Sequence, residues 1–258
     1  MSNIGKAFQN GKAFIGFVTG GDPSLEKSEE FIFEMIRAGA DLIEIGAPFS
    51  DPIAEGPVIQ RANLRALAAG VTTDKLFELA ARVRRQSDIP LVFLTYLNPV
   101  LHYGYEAYFQ KCQTIGLDGI IIPDLPFEEQ EEVRAVSVRC SVDLISLVAP
   151  TSESRIAKIA KNAAGFVYIV SSMGVTGIRG EITTDLNAIL AAVRSASDIP
   201  AAVGFGVSTP EQAAHIARIA DGVIVGSAIV KIIEEYGERA GEHLFAYVQK
   251  MKEAISQA

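Results

Sequence analysis

Apolar residues along the chain follow two alternating patterns. Short runs of aliphatic and β-branched residues, the kind that fill strands buried on both faces, are separated by longer stretches in which apolar positions recur every three or four residues, as on one side of a helix. The short runs predict strands from Ala13 into a glycine turn ending near Pro23, and at Asp41–Gly46, Leu91–Tyr96, Gly119–Pro123, Val142–Ala149, Gly165–Ser171, Ala201–Phe205 and Gly222–Val225. Between them, Asp22, Pro23 and Ser24 start a helix that runs to about Ala38 and is ended by Gly39. Helices are also predicted at Val58–Ala69, Thr73–Gln86, Phe127–Arg139, Glu153–Lys161, Thr184–Arg194, Pro210–Ala220 and, closing the chain, Tyr236–Ile255. Thr209 to Gln212 reads as a capping box with proline at the first helical position. Ser2–Asn10 is a short amphipathic piece expected to cap one end of the fold. Eight strands alternating with helices over 258 residues predict an α/β fold, a single-domain (β/α)8 TIM barrel over residues 1–258, with a doubly wound sheet as runner-up. RRQSDIPLVFL near residue 90 and RSASDIPAAVGF near residue 200 share a helix-to-strand lead-in, consistent with similar turns on the barrel's lower face.

Composition narrows the function more than the fold. A formal charge of -8 argues against a nucleic-acid surface or polybasic membrane contact, and no apolar run approaches a membrane span, so a cytoplasmic protein is expected. Cys112 and Cys140 lie in separate predicted helices without metal-ligand spacing and read as buried free thiols. His102, His215 and His243 are equally scattered, so no metal site is expected and acid-base chemistry falls to carboxylates and tyrosines.

One residue breaks the apolar pattern. Glu44 stands among Leu42, Ile43 and Ile45, where an ionised group costs several kcal/mol unless it is paired or protonated. Period-2 alternation puts it on the face of Leu42 and Gly46, projecting over whatever is bound at the strand's carboxyl end. Asp41, Asp51 and Glu55 lie nearby in sequence. In a barrel the active site is built from loops after the strands, with phosphate commonly held after strands seven and eight by backbone N–H groups and a helix N-terminus. Strand seven here runs into Gly204-Phe205-Gly206 and strand eight into Gly226-Ser227-Ala228, a pairing that predicts a phosphate site. Ser171–Ile182, with three glycines and Arg179 at its tip, reads as a lid over that end.

The ordering EIGAPFSDPIAEGP from Glu44 resembles the signature of tryptophan synthase alpha subunits. So do FVTGGDP after strand one, the Tyr96-Leu-Asn98-Pro99 run, IPDLP around Asp124, VYIVSSMGVTG from Val167, VGFG and GSAIVKII. The resemblance spans nearly the whole chain. It implies retro-aldol cleavage of indole-3-glycerol phosphate to indole and glyceraldehyde 3-phosphate, with no metal or organic cofactor in this chain. It also implies a beta subunit partner that carries pyridoxal phosphate, in an α2β2 heterotetramer. By the resemblance, Glu44 is the catalytic proton shuttle, Glu55 the second acid that holds the indole N–H, and Tyr168 the active-site tyrosine. Phe17, Tyr96, Thr176 and Phe205 contact substrate, and Gly177, Gly206, Gly226 and Ser227 hold phosphate. Asp51, Asn98 and Asp124 line the loops on that face. Two positions depart from the family pattern: Glu55 stands where an aspartate is usual, and the arginine near the lid's start is replaced around Ser172. A stand-alone lyase releasing indole, a catalytically weak regulatory subunit and another phosphosugar barrel enzyme are the rival readings.

Overall fold

The structure, a computed structural model, describes residues 2–150, 153–170, 185–204 and 206–258. Among these, eight parallel strands close into a barrel in chain order. They are β1 (Ala13–Thr19), β2 (Leu42–Gly46), β3 (Leu91–Leu94), β4 (Gly119–Ile121), β5 (Asp143–Val148), β6 (Val167–Val170), β7 (Ala201–Gly204) and β8 (Gly222–Val225). The described helices are α1 (Leu25–Arg37), α2 (Pro57–Ala68), α3 (Thr73–Arg84), α4 (Leu97–Tyr103), α5 (Tyr105–Ile115), α6 (Glu131–Arg139), α7 (Glu153–Asn162), α8 (Leu186–Ala196), α9 (Pro210–Ala217), α10 (Ser227–Tyr236) and α11 (Gly241–Ser256). The barrel is the expected one, and closure through β8 beside β1 excludes the doubly wound alternative.

Alternation along the strands sorts the core into two layers. Ile43 and Ile45 pack outward against the helices, whereas Leu42 joins Ile15, Val92, Ile121 and Ile224 inside the barrel. The lower end is plugged. Ile4–Phe8 forms a 3-10 turn rather than an α-helix, and its Ile4 and Ala7 are buried in the interior layer. The Asn3 N–H donates to Asp118 at 2.7 Å, and the Ser2 hydroxyl to Asp143, which anchors this plug.

The two Ser-Asp-Ile-Pro lead-ins do make equivalent turns on that lower face. Ser87 and Ser197 each accept from the N–H two residues on, and the first N–H of each following strand donates to an aspartate of the next strand's start, Leu91 to Asp118 and Ala201 to Asp221, both at 2.9 Å. Asp41 plays the same part for Phe14 and also binds Lys252, so it belongs to the barrel floor and not to the carboxylate loop.

Helix starts follow their caps. Ser24 accepts from Lys27 N–H at the start of α1, and the Thr209/Gln212 capping box opens α9. At three places the helices differ from, or add to, those expected. The stretch from Leu97 to Ile115 holds two helices broken at Gly104, whose φ of +89° a side chain rarely tolerates. Its aromatic residues give a weak amphipathic pattern because Tyr103 and Tyr108 pack edge-on with Phe77 of α3 instead of lining a simple stripe. Helix α6 begins only at Glu131, after a 3-10 turn at Phe127–Glu129. The closing helix, α11, starts at Gly241 rather than Tyr236, because Gly237 at φ +56° opens a 3-10 turn before it, and α10 is a further helix that ends at Tyr236. Cys112 and Cys140 are buried and free.

Candidate active site

The carboxyl ends of the strands surround a narrow cavity. Glu44 lies on its inner wall, 1% exposed, beside Phe17 of β1 and Val92 of β3 in the strand register. Its Oε2 has no hydrogen-bond partner among the described residues. Burial is the main reason its pKa rises to about 8, and the nearby charge of Glu55 adds to the rise. Burial therefore favours the protonated carboxyl of Glu44 at neutral pH.

Glu55 enters the same cavity from the loop after β2, and its geometry is set by α2. Asn63, buried two turns into that helix, donates from Nδ2 to Glu55 Oε2 at 2.6 Å, while Gln60 Nε2 holds the Glu55 main-chain oxygen at 2.7 Å. From the end of β3 the Tyr96 hydroxyl donates to Glu55 and accepts the Ala54 N–H at 3.2 Å, with its ring stacked on Phe49. Burial raises Glu55 to about 7 against the opposite pull of the Asn63 and Tyr96 hydrogen bonds. Two carboxyls thus share one pocket in different surroundings, one without a described hydrogen-bond partner at Oε2 and one clamped.

Tyr168 of β6 covers the far side. Burial raises its pKa well above the ordinary phenol value, with a further push from Glu44, so the phenol stays protonated. Room for the two large rings comes from glycines at strand ends. A Cβ on Gly204 would lie 2.6 Å from the Tyr168 hydroxyl, and one on Gly46 would lie 2.5 Å from the Phe17 ring. The same cavity is also lined by Gly206, Gly226 and Ser227. Gly226 is the N-cap of α10, no described side chain caps that end, and Gly226 and Ser227 line the cavity, so the helix's first N–H groups and its positive dipole end are available there. Such an arrangement suits a phosphate.

A profile of the tryptophan synthase alpha chain family matches residues 5–256. The chain belongs to the tryptophan synthase alpha chain family. Its similarity to the tryptophan synthase alpha chain of Lactiplantibacillus plantarum is 48% identity over 99% of this chain and 97% of the relative. The Lacticaseibacillus casei alpha chain is 44% identical over 99% of this chain and 96% of its own length. Among solved structures, tryptophan synthase subunit alpha from Legionella pneumophila superposes with a TM-score of 0.91 at 35% identity, each chain fully covered. A chain of the Pyrococcus furiosus tryptophan synthase α2β2 complex gives 0.87 at 34% identity, covering 95% of this chain and 99% of that one.

Of the residues that the tryptophan synthase alpha resemblance nominates, Glu44, Glu55, Tyr168, Phe17, Tyr96, Gly206, Gly226 and Ser227 all line this one cavity. Thr176, Gly177, Phe205 and the whole Ser171–Ile182 stretch, with Ser172 and Arg179, lie outside the described residues. Asp51 is exposed and shares a hydrogen bond with Ser50, and Asn98 is exposed; neither lines the cavity. Asp124 accepts the Leu97 N–H at 2.9 Å, so it starts α4 and does not line the cavity either. Sequence reasoning missed Asn63, whose signal was a polar residue on the apolar face of α2. It also missed the apolar walls Ile59, Leu94, Pro123 and Leu147.

Proposed function

We propose that this cavity carries out the retro-aldol cleavage of indole-3-glycerol phosphate, with Glu44 as the proton shuttle and Glu55 as the acid that holds the indole N–H. The observation that carries the reading is the pair of buried carboxyls with separately raised pKa values, sharing one cavity with a helix N-terminus that no described side chain caps. The bond to be broken joins indole C3 to the carbinol carbon of the side chain. Protonated Glu44 delivers a proton to C3, so that the ring takes the positive charge and becomes the electron sink. The C–C bonding pair returns to the ring as the carbinol O–H becomes an aldehyde, and Glu44 takes up that hydroxyl's proton. No net proton is gained or lost, and a pKa near neutrality suits a group that must both give and take. Glu55, ionised, stabilises the developing charge at the ring N–H. Gly206, Gly226 and Ser227 hold the phosphate through backbone N–H groups and a hydroxyl, and Phe17 and Tyr96 flank the ring. The reaction needs neither metal nor organic cofactor. Pyridoxal phosphate belongs to a beta subunit, to which the indole passes for tryptophan synthesis in an α2β2 assembly like that of the P. furiosus relative. The chain works in the cytoplasm; none of its described helices is long and apolar enough to cross a membrane.

Indole release by the purified chain, alone and with a beta subunit, tests this reading against a protein background free of tryptophan. Slow release accelerated by the partner is expected. Fast release alone would mean a stand-alone lyase, and no release in either condition would refute the reading.

The pH dependence follows from the same two groups. The active form needs Glu55 ionised and Glu44 protonated, so kcat/KM should rise as pH passes about 7 and fall as it passes about 8. A rate independent of pH from 6 to 9 would remove the pair from the chemistry.

Gly204→Ala should push the Tyr168 ring from its place. Overpacking of this sort costs about 1–3 kcal/mol, and the displaced wall should lower kcat by on the order of 10-fold. Urea unfolding and steady-state kinetics read the two effects; an Ala variant unchanged in both would mean that the ring is not confined by the glycine.

A further inference from the structure

Helix α2 touches more of this site than any motif suggested. On its buried side, Ile59 and Ala62 pack with Phe17 of β1 and Val230 of α10, and Asn63 holds the Glu55 carboxylate. Its outer side carries two arginines one turn apart. Arg65 grips Asp22, in the loop after β1, with Nε and Nη2 both at 2.8 Å from the two carboxylate oxygens, and Asp22 is 1% exposed. Arg65 Nη1 also reaches Glu234 of α10 at 3.1 Å. Arg61 forks onto the same Glu234 at 2.6 and 2.8 Å. Glu234 is held well ionised, at about 2, chiefly by the Arg61 hydrogen bonds. The helix whose N-terminus faces the cavity is thus fastened, apolar side and ionic side, to the helix that anchors the second acid.

We infer that Arg65 is a positioning residue, which fixes through Asp22 and Glu234 the spacing between the acid end of the cavity and its phosphate end. The inference rests on the reading of the α10 N-terminus as the phosphate site. A guanidinium suits the task because its planar fork makes two parallel bonds to one carboxylate and still has a third nitrogen free for another, which an ammonium cannot reproduce. None of Arg61, Arg65, Asp22 or Glu234 lines the cavity, so any effect they have on the reaction passes through the two helices.

Spacing between two half-sites has a signature of its own. A ligand that fills one half does not sense it, whereas a ligand that spans both does. The test is calorimetric titration of the whole chain with indole, with glycerol 3-phosphate, and with a non-cleavable analogue in which a propyl chain joins indole to phosphate. Glu234→Gln is the first variant, since it leaves the buried Asp22–Arg65 pair intact and the fold secure. It should bind indole and glycerol 3-phosphate within about twofold of wild type but lose about 10-fold for the joined analogue. Arg65→Lys, keeping the charge without the fork, should lose a similar factor, and Glu234→Asp should recover part of the first loss. If the joined analogue and the fragments weaken together, or if neither changes while the melting point falls, the contacts are structural only and the inference is overturned. A wild-type chain that binds the analogue but does not cleave indole-3-glycerol phosphate would overturn the proposed reaction and leave this comparison readable.

Discussion

Glu44→Gln should lose at least on the order of 10²-fold in turnover while binding substrate analogues nearly as well as the wild type. Gln keeps the size and planarity of the side chain but can neither deliver a proton to indole C3 nor take one from the carbinol. A near-normal rate would refute the shuttle. The same substitution has a second, independent readout in stability. The folded carboxyl keeps its proton up to about 8, whereas the unfolded one releases it near 4.5, so between these values the folded state binds the extra proton. Raising pH through that window therefore favours unfolding, by about 1.4 kcal/mol per pH unit at most, and the penalty levels off above the folded value. Gln has no such penalty. The variant should accordingly match the wild type in urea unfolding near pH 4.5 and exceed it by a few kcal/mol near pH 8. A gap that does not widen with pH would show that Glu44 ionises freely in the folded chain.

Glu55→Ala should abolish most activity, on the order of 10²-fold, because it removes a preorganised charge from the place where positive charge develops. Glu55→Asp is the informative companion. Aspartate, the residue that the resemblance implies for this position, would here sit one methylene short of the Asn63 amide at 2.6 Å and of the Tyr96 hydroxyl. The loop of Asp51 to Gly56 is only partly packed, and its Ile53 is 69% exposed, so it can advance to restore the contact. Activity of the Asp variant is expected within a few-fold of wild type or above it. If Ala is neutral, Glu55 has no part in the chemistry; if Asp is as damaged as Ala, the carboxylate must be clamped by Asn63 to act at all. Steady-state indole release separates these outcomes.

The barrel was legible in the sequence because each strand is a short apolar run and each run has the same fate, buried on both faces. Glu44 was legible for the converse reason: a charge in such a run has no structural excuse. Boundaries were less so. The runs at Leu91 and Gly119 stop pairing sooner than their hydrophobicity does, because Tyr96 and Pro123 leave the sheet to line the cavity. Helices α4 and α5 were hidden by their aromatic content, and α10 by the habit of reading Gly226-Ser227-Ala228 as the end of a strand rather than the start of a helix. Asn63 and Arg65 could not be assigned from the sequence at all. What each does depends on a residue elsewhere in the chain, eight positions away for Glu55 but 43 for Asp22 and 169 for Glu234, and no local pattern encodes such pairings.

The plug at the barrel floor has a practical consequence. Ser2 and Asn3 are tied to Asp143 and Asp118 at the end of the barrel opposite the cavity, with Ile4 buried between. A chain tethered to a bead or electrode through a residue on this floor would therefore stand with its mouth turned to the solution, and an immobilised preparation should accept substrate as readily as a free one.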